Sequence, residues 1–146
     1  MNSKTILLVE DNPQDEMLTL RALSRANLAN QVDVARDGRQ ALDYVFREGE
    51  FAGRSGPDLP TVILLDIGLP RLSGLEVLER LRADARTALL PVVILTSSDE
   101  ESDRLKSYEN GCNSFVRKPV NFADFADTVA RLGMYWLTIN EPPPEQ

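Results

Sequence analysis

TVILLDIGLPRLSGLEVLERL, residues 61–81, decides the architecture. It opens on an unbroken apolar run, Val62-Ile63-Leu64-Leu65, ending at Asp66. A short run with no polar interruption is the pattern of a strand buried on both faces. Ile67-Gly68-Leu69-Pro70 reads as loop, and Leu75, Leu78 and Leu81 then recur at helical spacing. The same strand-then-helix unit repeats outward in both directions. Strands are expected at Thr5 to Val9, at Val32 to Ala35, from Val92 to Leu95 after an opening Pro91, and at Ser114 to Val116. Asn12-Pro13 opens a first helix with Met17, Leu20 and Leu23 on its stripe. Asp37 caps a second, with Ala41, Leu42, Val45 and Phe46 on one face. Ser98 or Asp99 caps a fourth helix, which has few apolar positions, mainly Leu105 and Tyr108, and stops at Gly111. Asn121 caps the last. Its residues Phe122, Phe125, Val129, Leu132 and Trp136 are spaced to face the sheet, while Ala123, Ala126, Ala130, Met134, Tyr135 and Leu137 lie off that stripe. Strands alternating with helices imply one α/β domain, a parallel sheet covered on both faces.

Composition narrows the function. The chain has 146 residues, enough for one core, and a net charge of −7 with no basic stripe, which argues against nucleic acid as a partner. Its single cysteine, Cys112, rules out an internal disulfide and fits a reducing cytoplasm. The apolar runs are too short for a membrane span, and the start, Met1 to Lys4, leads into too few apolar residues for a signal core. There is no histidine, so neither a phosphohistidine nor a histidine metal site can form. Glu48 to Pro60, with three glycines and two prolines, is expected to be an irregular surface excursion. Pro142-Pro143-Pro144 is expected to end the helical part, dividing the chain into a domain over 1–138 and a Pro-rich tail over 139–146, with no further domain expected.

The chemistry sits at the strand ends. The first strand runs into Glu10-Asp11, the third into Asp66, the fourth into Thr96-Ser97, and the fifth into Arg117-Lys118-Pro119. In an open parallel sheet, ligands bind in the crevice beyond the carboxyl ends of the strands. Taken singly, Thr96 is an ordinary β-former and Lys118 a surface charge. Together, three carboxylates, a hydroxyl and an ammonium make a site for a divalent cation and a phosphoryl group. Asp66 is the candidate nucleophile, because carboxylates form aspartyl phosphates. Asp11 and Asp66 are the candidate direct ligands of Mg²⁺, with Glu10 binding directly or through water, since that ion takes oxygen ligands and keeps several waters. Lys118 supplies a positive point charge for phosphoryl oxygens and Thr96 a hydroxyl.

These motifs, LLVEDNP, LLDIGLPRLSGLEVL, VVILTSSDE and SFVRKP, resemble the receiver domain of two-component response regulators over roughly residues 4 to 133. The loop at 48–60 and the tail YWLTINEPPP are similar to small stand-alone regulators that partner bacterial phytochromes. The resemblance implies a flavodoxin-like (βα)5 fold, a doubly wound five-stranded parallel sheet in order 2-1-3-4-5. It also implies phosphorylation of Asp66 by a sensor histidine kinase, a phytochrome in the narrower match. The Gly68 carbonyl becomes a fourth metal ligand, the bond before Pro119 is expected cis, and Thr96 and Phe115 become the switch pair. Phe115 has a second reading, as a core aromatic. Signalling would shift the packing of the fourth helix, fifth strand and fifth helix. Such a protein is not an enzyme beyond catalysing its own phosphorylation and dephosphorylation. The apolar end of the last helix suggests a homodimer contact through Tyr135-Trp136-Leu137. Two other classes use similar groups. A haloacid-dehalogenase-type phosphatase combines Asp, Mg²⁺, a hydroxyl and Lys, but carries its nucleophile on the first strand. A receiver-like scaffold would need no phosphorylation, although every required side chain is present here.

Overall fold

A computed structural model describes residues 4–27, 31–55 and 59–144. Gly56 to Asp58 of the surface excursion, Met1 to Ser3 and the final two residues of the tail lie outside the described residues. The elements alternate as β1 (Thr5–Val9), α1 (Pro13–Arg25), β2 (Gln31–Ala35), α2 (Gly38–Phe46), β3 (Val62–Leu65), α3 (Gly74–Ala83), β4 (Val92–Thr96), α4 (Glu101–Glu109), β5 (Ser114–Arg117) and α5 (Phe122–Met134). All pairings are parallel and the sheet order is β2-β1-β3-β4-β5, the expected 2-1-3-4-5 arrangement. Because successive strand residues point to opposite faces, β1 serves two cores at once. Leu7 and Val9, with Ile63, Leu65 and Ile94, pack under α2 and α3. Ile6 and Leu8, with Leu64, Val93 and Leu95, pack under α1 and α5.

The caps form as the sequence implies for three helices. Asn12 Oδ1 accepts from the amides of Gln14 and Asp15, Asp37 from Gln40, and Asn121 from Ala123 and Asp124. In α4 the cap position is Glu100, with no side-chain cap, rather than Ser98 or Asp99. Ser98 instead accepts from the Glu100 amide, one step outside the helix. Leu105 and Tyr108 point outward, and Ser107 is the buried residue of α4. Met17 also points outward, since α1 buries Thr19, Ala22 and Leu23 instead.

The last helix departs from its expected stripe at both ends. Phe122 is exposed because burial in α5 begins only at Phe125. Leu137, read as off the stripe, is fully buried, and Trp136 is buried beside it. Phe125, Val129, Gly133 and Leu137 continue at a spacing of four; Gly133, lacking a side chain, hid this row from an apolar count. The helix ends in a π-helical turn, Tyr135–Ile139, and the Lys4 ammonium donates to the Leu137 carbonyl. The expected dimer contact through Trp136 and Leu137 is therefore corrected: both are already committed to this chain's own core. The described stretch 48–55 of the excursion is also less irregular than expected. It contains a 3-10 turn, Gly49–Phe51, and is pinned to α2 where Arg54 stacks over the Tyr44 ring at 4.1 Å and donates to the Tyr44 carbonyl at 2.8 Å. No described peptide bond is cis, so the Lys118–Pro119 bond is trans, the slightly favoured isomer, and not cis as the resemblance implied.

Candidate functional site

Backbone hydrogen bonds extend the sheet ladder one residue beyond the strands and thereby fix the functional side chains in register. The Glu10 amide donates to the Ala35 carbonyl at 3.0 Å, Asp66 to Val9 at 3.1 Å and Lys118 to Thr96 at 2.7 Å. The loop after Asp66 is clamped between two helix starts. A Cβ on Gly74 would lie 2.1 Å from the Asp66 carbonyl oxygen, and one on Gly38 would lie 2.1 Å from that of Leu72. Only residues without side chains allow the two helix starts to approach this loop so closely. Arg71, held at φ 68°, reaches back to Asp37 Oδ2 at 3.2 Å and adds a further tie.

Within this frame Lys118 is the hub. Its Nζ donates to Glu10 Oε1 at 2.6 Å, Asp15 Oδ2 at 2.8 Å and Asp66 Oδ2 at 2.9 Å, and so uses all three of its protons. Burial pulls the ammonium's proton affinity down, but hydrogen bonds to Asp15, Glu10 and Asp66 more than offset that, and its pKa is raised. Glu10 shows the opposite balance. It is 2% exposed, and burial raises its pKa from 4.5 to about 7 against the pull of Lys118. The second Asp66 oxygen, Oδ1, accepts from the Thr96 hydroxyl and from the Gly68 amide, each at 3.1 Å.

Of the residues named from sequence, Glu10, Asp11 and Asp66 offer carboxylate oxygens within 4.8 Å of one another, Thr96 and Lys118 touch Asp66, and Gly68 lines the same cavity. Phe115 stands apart, half-buried against the core beneath α2 and α3. Two further carboxylates were not anticipated: Asp15, which binds Lys118, and Asp103, at the rim of the roughly 350 Å³ cavity. Each lies in the first turn of a helix, where acidic residues are ordinary, so neither stands out in the sequence. The donors suit a hard cation. They are all oxygen, Glu10, Asp11 and Asp66 bring three carboxylates within reach of one ion, and exposed Asp11 leaves room for retained waters. The phosphatase alternative would need its nucleophile on β1, whereas the carboxylate that meets both the hydroxyl and the ammonium follows β3.

The family described as the response regulator receiver domain matches residues 6–130. The chain is 42% identical to the probable methanogenesis regulatory protein FilR2 of Methanothrix harundinacea, over 94% of this chain and 86% of that protein. Among solved structures, the phosphorylated cyanobacterial phytochrome response regulator RcpA superposes with a TM-score of 0.90 at 35% identity, covering 97% of this chain and 99% of that one. The bacteriophytochrome response regulator RtBRR is 53% identical with a TM-score of 0.76, covering 99% and 86% respectively.

Proposed function

Because this chain belongs to the response regulator receiver domain family, we propose that it is a single-domain response regulator phosphorylated on Asp66 by a sensor histidine kinase, with a phytochrome as the sensor. Receiver domains are phosphoryl-accepting signalling modules, not enzymes acting on a separate metabolite. The observation that carries the assignment is the double engagement of one carboxylate: Asp66 Oδ2 faces Lys118 at 2.9 Å while Oδ1 faces Thr96 at 3.1 Å. An Asp66 oxygen attacks phosphorus, and the bond from phosphorus to the donor's imidazole nitrogen breaks, its electron pair staying on nitrogen. On loss of the group, a water oxygen attacks phosphorus, the bond to Asp66 breaks, and inorganic phosphate leaves. The first step brings two anions together and both act on a charged phosphoryl group, and phosphoryl-transfer catalysis is mostly positioning and charge neutralisation. Lys118 and the Thr96 hydroxyl do that work on the protein's side. Mg²⁺, held by Glu10, Asp11 and Asp66, with the Gly68 carbonyl as the ligand the resemblance adds, supplies further neutralisation when bound.

The reading takes residues 1–138 as the receiver and 139–146 as a tail, and it implies a cytoplasmic protein. Among the described residues, no helix is long and apolar enough to cross a membrane. The signal is a population shift of α4, β5 and α5, with Thr96 and Phe115 as the switch pair. Moving a two-state equilibrium from mostly off to mostly on requires about 5.5 kcal/mol. One charge-assisted hydrogen bond contributes about 1.5–3 kcal/mol, so Thr96 acts together with Lys118 or the cation. A homodimer through the last helix would use the exposed Met134, Tyr135 and Ile139. Acetyl phosphate with Mg²⁺ should add one phosphoryl group, which peptide mapping places on Asp66, and Asp66→Asn should abolish it. Undiminished labelling of that variant would defeat the assignment.

A further inference from the structure

A chain of hydrogen bonds leads out of the pocket into α4. The Thr96 hydroxyl donates to Asp66 Oδ1 at 3.1 Å and accepts from the Ser98 amide at 3.3 Å. The Ser98 hydroxyl donates to Asp103 Oδ2 at 2.7 Å and accepts from the Glu100 amide at 3.3 Å. Each hydroxyl has one proton to give, and both are in use. Asp103 is the third residue of α4 and lines the same cavity as Asp66, Thr96 and Lys118. This connection matters because α4 has little else holding it. Its one buried residue is Ser107, its apolar side chains face outward, and its first turn has no side-chain cap.

We propose that Ser98 and Asp103 form a latch that holds the first turn of α4 to the unphosphorylated pocket, and that a phosphoryl group on Asp66 opens it. The inference rests on Asp66 being the acceptor and names the contact through which its modification reaches α4. A phosphoryl group brings strong acceptor oxygens and added negative charge. The Ser98 hydroxyl can donate to one of those oxygens only by releasing Asp103. Asp103, left without that donor beside a dianion, is repelled and carries the first turn of α4 with it. Asp103 is thus a positioning residue that resists the phosphorylated state, and Ser98 is the group that exchanges partners.

The test uses beryllofluoride with Mg²⁺, an unreactive mimic of the phosphoryl group, and follows the amides of Leu105 and Tyr108 by NMR. Asp103→Asn keeps an acceptor for the Ser98 hydroxyl and removes the charge. It should bind beryllofluoride roughly five-fold more tightly or better, the low end of ordinary coupling between sites. The advantage should shrink as salt rises, because it arises from charge repulsion at a partly exposed site. A purely structural role for Asp103 would not produce that salt dependence. Ser98→Ala should bind no more tightly than wild type, and its beryllofluoride-induced shifts at Leu105 and Tyr108 should be reduced. Equal or weaker binding by Asp103→Asn, a gain indifferent to salt, or wild-type shifts in Ser98→Ala would overturn the latch alone. If the wild type took neither beryllofluoride nor label on Asp66, the acceptor assignment itself would fall, and the latch with it.

Discussion

Glu10→Gln should make the metal-free protein more stable at neutral pH. The side chain is 2% exposed and its pKa stands at about 7 instead of 4.5. At about 1.4 kcal/mol for each tenfold change in proton affinity, holding Glu10 ionised costs roughly 3 kcal/mol at high pH. The sign follows from linkage. Below pH 4.5 the group is protonated whether the chain is folded or unfolded, so no penalty exists. Between 4.5 and about 7 the unfolded chain releases this proton while the folded chain keeps it, and stability falls as pH rises. Above about 7 the full penalty is present. Glutamine retains an acceptor for Lys118, whose ammonium keeps Asp15 and Asp66 at 2.8 and 2.9 Å. After allowing for a weaker bond to Lys118, the variant should gain about 2 kcal/mol at pH 8 and nearly nothing at pH 4.5. Urea unfolding in EDTA across that range measures the gap. Mg²⁺ should reverse the order, since a ligand at a hundred times its dissociation constant stabilises the folded state by about 2.7 kcal/mol, and the variant lacks one carboxylate for it. A variant less stable than wild type at pH 8 without metal, or a gap that ignores pH, would refute the argument.

Gly74→Ala should be destabilising by about 1–3 kcal/mol, the usual range for overpacking, although alanine favours helix, because its Cβ would lie 2.1 Å from the Asp66 carbonyl. The same displacement should slow acetyl phosphate labelling of Asp66, and unchanged rate and stability would show that the clamp is not tight. Leu137→Ala should cost about 2–5 kcal/mol as a core truncation. Ile139→Ala, at an exposed position two residues on, should change the unfolding midpoint little.

Much of the site was legible because strand-end residues inherit their place from the sheet. Glu10, Asp66 and Thr96 follow or end buried apolar runs, Lys118 follows the half-buried strand β5, and parallel pairing brings such ends to one edge. Asp15 and Asp103 depend instead on helix rotation and on which way a first turn leans, and a run of apolar residues does not report either. Leu137 was misplaced because Gly133 contributes backbone closeness rather than hydrophobicity to its row. Leu105 and Tyr108 are the few apolar positions that the sequence offers α4 as an inner face, yet both face solvent. The attachment of residues 48–55 to α2 rests on Arg54 lying across Tyr44, a stacking contact with no periodic signature.

The ammonium at the centre of the acidic cluster acts as a built-in counterion. Chains that draw much of their folding free energy from a bound metal commonly remain unfolded without it. Here Lys118 bridges Glu10, Asp15 and Asp66, so a cation of the chain's own offsets the repulsion among three of the pocket's carboxylates. Were Mg²⁺ to bind there as proposed, it would join a pocket already partly neutralised, and its removal should leave the domain folded.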